Sequence, residues 1–81
     1  MNKEVKQIIE DKLGLMESDY ELDSDFREDL GCDSLDMMDL TMTIEKEFNI
    51  MIPDDDVYSI NTVQQLMDYV DKRISVLQED R

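Results

Sequence analysis

Asp33-Ser34-Leu35-Asp36-Met37-Met38-Asp39-Leu40-Thr41-Met42-Thr43-Ile44-Glu45-Lys46-Glu47-Phe48-Asn49 is the stretch on which the fold turns. Its apolar residues recur at helical spacing, and this predicts an α-helix over residues 34–49. Asp33 is the expected N-cap, and Pro53 beyond the far end forbids continuation. A helix turns about 100° per residue. On that wheel Met37, Leu40, Thr41, Ile44 and Phe48 share one side, while Leu35, Met38 and Met42 share the nearly opposite side. The first stripe is larger and continuous, so it is expected to face the core. The second has nothing inside an 81-residue chain to pack against. Asp36 and Asp39 flank it on one side and Glu45 on the other. Such a surface is either ordinary exposed apolar area or a docking patch with a charged rim. Methionine, flexible and polarizable, suits a surface that fits several partners.

Working outward, Gly31 is read as a turn before this helix. Residues 16–33 show no sustained period and are read as a long loop, pinned by Phe26 and Leu30. Ahead of it, Val5, Ile8, Ile9 and Leu13 make one apolar stripe and predict a helix from about Asn2 to Leu15, with Gly14 near its end. Downstream, Asp54–Ser59 is expected to form one short helical turn with its acids at the positive end. Thr62 and Gln65 match a capping box. Val63, Leu66, Met67, Val70, Ile74 and Leu77 then predict a last helix over 63–77, with 78–81 as a frayed tail. The expected architecture is all-α: one domain, residues 1–81, built as a small four-helix bundle of three main helices, one short helix and a long loop after the first.

Composition restricts function. The chain has no histidine and one cysteine, Cys32. A Ser–His or Cys–His nucleophile pair cannot be built, nor can a thiolate or imidazole zinc site of useful ligand count; an enzyme built only on carboxylates stays open, but the chain is short for a walled active site. The acid-rich stretch Asp23-Ser24-Asp25-Phe26-Arg27-Glu28 begins like a calcium loop, then fails. Arg27 takes the third ligand position and Glu28 the place of the required glycine. No membrane span or signal peptide is visible, and a lone cysteine fits a reducing compartment, so a cytoplasmic, monomeric protein is expected. Net charge is −14, and residues 17–56 hold 15 acidic and 2 basic residues of it. That charge repels nucleic acid. It reads either as a solvated face or as a face that docks onto basic partners with salt-sensitive association.

Ser34 follows Asp33 at the helix entrance, where free N–H groups and the positive dipole end favour an anion. Local chemistry leaves two readings open: Ser34 or Asp33 merely caps the helix, or the hydroxyl is held for covalent modification. Asp29-Leu30-Gly31-Cys32-Asp33-Ser34-Leu35-Asp36 resembles the phosphopantetheine attachment segment of acyl carrier proteins. The likeness continues through Ile44-Glu45-Lys46-Glu47-Phe48, Ile52-Pro53-Asp54-Asp55, Ile60-Asn61-Thr62-Val63 and Asp68-Tyr69-Val70, and covers roughly residues 3–76.

The resemblance implies a non-catalytic four-helix carrier of the discrete type, serving fatty acid or related polyketide-like biosynthesis. It implies that Ser34 bears 4′-phosphopantetheine, installed from coenzyme A by a separate phosphopantetheinyl transferase, and that the arm carries acyl groups as thioesters to synthase enzymes with basic docking surfaces. Asp33 flanks the attachment point. Leu35, Met38 and Met42 match the family's apolar docking stripe, and Asp36, Asp39, Glu45 and Glu47 its acidic positions; for Glu47 a solvated helix charge is an equal reading. Lys46, Thr41, the pair Met37 and Met38, and Cys32 depart from the usual pattern. Thr41 is expected to bond back to a carbonyl one turn earlier or to sit near the acyl chain, and Cys32 to be a small packed side chain. The competing readings are a carrier for aminoacyl or peptidyl groups and an acidic protein-binding adaptor with no prosthetic group. The acid before Ser34 and the acidic second helix favour the acyl type.

Overall fold

A computed structural model describes residues 2–79. Four α-helices follow one another: α1 (Asn2–Leu13), α2 (Ser34–Phe48), α3 (Asp54–Ser59) and α4 (Val63–Glu79). The expected all-α bundle of three main helices and one short one is what forms. Val5 and Ile9 of α1, Met37, Leu40 and Ile44 of α2, Val57 of α3 and Val63, Leu66 and Val70 of α4 meet in one apolar cluster. The larger stripe of α2 therefore faces inward, as its spacing requires.

Helix ends depart from the periodic reading for local reasons. α1 stops at Leu13 rather than Leu15, because Gly14 turns left-handed at φ +66°. The Leu15 N–H then donates to the Glu10 carbonyl at 2.9 Å, a closure that satisfies a last-turn carbonyl. α2 stops at Phe48 rather than Asn49, which is itself left-handed (φ 56°, ψ 48°) and caps the helix through its N–H on the Glu45 carbonyl. Asparagine tolerates that region better than most residues. α4 runs past 77 to Glu79, since no glycine or proline interrupts it. Gln78 and Glu79 are thus helical, and the rest of the expected tail, Asp80 and Arg81, lies outside the described residues.

The loop from residue 14 to 33 is tightly tied. A 3-10 turn, Glu17–Asp19, opens it. Tyr20 and Phe26 are buried and Leu30 partly so, so the two expected anchors hold and Tyr20 is a third. Backbone bonds then stitch the loop to the entrance of α4. The Phe26 N–H donates to the Asn61 carbonyl at 2.8 Å, and the Val63 and Gln64 N–H groups donate to the Ser24 and Leu22 carbonyls at 3.2 and 2.8 Å. Val63 and Gln64 are first-turn residues whose N–H groups have no partner inside their own helix, so the loop doubles as the α4 cap. Thr62 and Gln65 complete it as a capping box: Thr62 Oγ1 accepts from the Gln65 N–H at 3.2 Å, and Gln65 Oε1 from the Thr62 N–H at 3.1 Å. Asp25 is committed to this loop as well, its Oδ1 accepting from the Arg27 and Glu28 N–H groups at 2.8 and 2.9 Å. The failed calcium-loop stretch is an acid-stabilised turn.

Candidate functional site at the entrance of α2

Three residues decide the chemistry of the α2 entrance. Gly31, left-handed at φ +72°, reverses the chain so that Cys32 returns inward, its N–H donating to the Phe26 carbonyl at 2.8 Å. Asp33 is extended (φ −104°, ψ −173°) and caps the helix. Its Oδ1 accepts from the Asp36 N–H at 2.9 Å, and Asp36 Oδ2 accepts in return from the Asp33 N–H at 3.3 Å. This reciprocal box satisfies two backbone donors with carboxylates. Ser34, the first helical residue, is exposed. Among the described residues its hydroxyl has no hydrogen-bond partner, and the N–H groups of Ser34 and Leu35 have no acceptor. Capping has gone entirely to Asp33.

Cys32, two residues away, is buried. Burial raises its thiol pKa, and the carboxylates of Asp36 and Asp33 push in the same direction. The thiol stays protonated and inert, a small packed side chain as expected. Thr41 is buried on the core side, its hydroxyl donating to the Met37 carbonyl at 2.9 Å, with the Met38 carbonyl at 3.2 Å. Of the two expectations for Thr41, the back-bond to the preceding turn is the one seen.

The second face of α2 is open. Leu35 is 76% exposed and Met42 53%, with Met38 half-buried between them. Asp36, Asp39 and Glu47 are exposed around them, as is Lys46, whereas Glu45 is half-buried. The acids differ in what they already hold. Asp36 is in the capping box. Glu45 Oε2 accepts from the Ile52 N–H at 2.8 Å, fixing the turn that leads to α3. Asp39 Oδ1 lies 3.4 Å from Lys12 Nζ, across the junction of α1 and α2. The sequence alone points neither to Lys12 nor to the contact between Glu45 and the Ile52 N–H. A basic residue in the last turn of a helix is commonplace, and neither contact leaves a trace in periodicity.

Among the described residues, no group of three His, Cys, Asp or Glu side chains converges to hold a metal ion, and no helix is long and apolar enough to cross a membrane. A family model described as "Phosphopantetheine attachment site" matches residues 3–70. That span runs from the first turn of α1 into α4 and includes the α2 entrance.

Proposed function

The chain belongs to the phosphopantetheine attachment-site family, and from that membership we propose that it is an acyl carrier protein with Ser34 as its attachment residue. Carrier domains of this family are not enzymes and hold 4′-phosphopantetheine covalently. The observation that carries the assignment is the division of labour at the α2 entrance. Asp33 performs the capping that would otherwise explain a serine there, so the exposed Ser34 hydroxyl has no structural task.

The residues fit the prosthetic group. A phosphodiester on Ser34 Oγ would sit at the positive end of α2, beside the N–H groups of Ser34 and Leu35 that lack acceptors, where an anion is favoured. When bound, the group supplies a terminal thiol that carries an acyl cargo as a thioester. The chain contributes attachment, orientation and recognition. The Asp33–Asp36 box holds the first turn rigid, so the tether point is fixed relative to the docking face. Protonated, buried Cys32 does not compete for modification.

Leu35, Met38 and Met42 supply the apolar centre of a docking surface, and Asp36, Asp39, Glu45 and Glu47 its acidic rim, against basic faces of the transferase and of acyl-handling enzymes. The acidic α2 and Asp33 favour acyl over aminoacyl or peptidyl cargo, in fatty acid or related biosynthesis. The single buried thiol fits a cytoplasmic setting.

Incubation with coenzyme A and a broad-specificity phosphopantetheinyl transferase is expected to add one arm, read by intact-protein mass spectrometry. Ser34→Ala is expected to gain none while keeping its helical circular dichroism. No mass gain in the natural chain favours the acidic adaptor instead, and a gain in Ser34→Ala moves the attachment elsewhere.

A further inference from the structure

The four acids of the α2 face are not equally available to a partner. Asp36 and Glu45 hold backbone N–H groups, at 3.3 and 2.8 Å, and releasing them undoes a helix cap or a turn. Asp39 holds only the tip of a side chain. Lys12 Nζ lies 3.4 Å from Asp39 Oδ1, with the two side chains 36% and 64% exposed. An ion pair this long and this wet is weak and readily exchanged. Lys12 also has somewhere to go. An open groove of about 380 Å³ between α1 and α2 is lined by Lys12 itself, Asp11, Thr43 and Glu47. Glu4 lines it too, and Glu4 and Asp11, carboxylates of α1 outside the docking rim, can receive the ammonium once it leaves Asp39.

We infer that Lys12 is an internal competitor for the docking carboxylate Asp39, so that α1 takes part in partner selection. The inference rests on the docking reading of α2. A partner reaches Asp39 by displacing Lys12 into the groove, and another lysine would gain little by the exchange. A guanidinium gains more, because its planar fork binds a carboxylate through two parallel hydrogen bonds and is less strongly hydrated than an ammonium. The chemistry that fits this position is therefore an arginine on the partner.

The test is transferase kinetics at saturating coenzyme A with the full chain varied. Lys12→Gln is expected to lower KM for the carrier about two- to fivefold, the range of a weak exposed pair, with kcat unchanged. The gain is expected to vanish on an Asp39→Asn background, and Lys12→Arg to restore a KM at or above that of the natural chain. Lys72→Gln makes the same change in net charge on α4. If it lowers KM as much as Lys12→Gln, the effect is general electrostatics and the inference falls. If Asp39→Asn raises KM while Lys12→Gln leaves it unchanged or raises it, docking on α2 stands and the competitor role is overturned. If Asp39→Asn leaves KM unchanged, the docking reading itself fails and takes the inference with it. Circular dichroism melts of each variant separate a loss of fold from a change in recognition.

Discussion

Tyr20 shows how a single residue in a loop can carry fold stability. Its ring is buried, and its hydroxyl donates to Glu10 Oε2 at 2.7 Å. Burial raises its pKa above the ordinary 10.0, and the Glu10 carboxylate adds to the shift. A tyrosine whose pKa is higher folded than unfolded contributes stability that is fully present below the unfolded value. That stability is lost as pH rises through the folded one. Thermal midpoints are therefore expected to fall above about pH 10, and to fall less steeply in Tyr20→Phe. At neutral pH Tyr20→Phe is expected to cost about 1 kcal/mol for the lost hydrogen bond, measured by urea unfolding. In the sequence Tyr20 reads only as one of several apolar residues in an irregular stretch. Its partner lies ten residues back on α1, and nothing local marks the path that returns the loop to it. Asp33 and Thr62 are legible for the opposite reason: their bonds close within three residues.

At the scale of elements, α2 carries the site, and its entrance is the place to test it. Asp33→Ala removes a carboxylate cap and is expected to cost about 1 kcal/mol, seen as a lower urea midpoint at an unchanged slope. The same readout for Ser34→Ala is expected to stay within a few tenths of a kcal/mol, the usual range for an exposed substitution that breaks nothing. The two faces of α2 were legible because a 3.6-residue period assigns sides without knowledge of neighbours. Its length was not, since Asn49 ends the helix by adopting a left-handed backbone that asparagine tolerates but does not announce. α3 shows the same limit. Its acids were legible as first-turn residues, yet Asp56 accepts from both the Tyr69 hydroxyl and Arg73 on α4, a tie that depends on how two helices cross. Arg73 also lies over the Tyr69 ring, 5.2 Å from its centroid.

Over the whole molecule, a net charge of −14 sits on a chain of 81 residues, most of it in the loop, α2 and α3. Some of those carboxylates are employed in caps and turns, but the rest repel one another across a surface whose principal extents are 39 × 24 × 20 Å. Thermal stability is expected to rise when salt shortens the screening length from about 30 Å at 0.01 M toward about 10 Å at 0.1 M. A midpoint that is flat or falls with added sodium chloride would show that self-repulsion contributes little. This property was legible from composition alone, because charge adds without regard to fold. The stitching of the loop to α4 was not, because it runs backbone to backbone. The separation of tasks at the α2 entrance has an outcome for the chain's upkeep. A copy that lost Ser34 by mutation would fold, resist proteolysis and accumulate like any other, because the hydroxyl supports no part of the structure. Cellular surveillance that inspects shape would pass it, and, on the proposed assignment of Ser34, only failure to accept the arm would expose it.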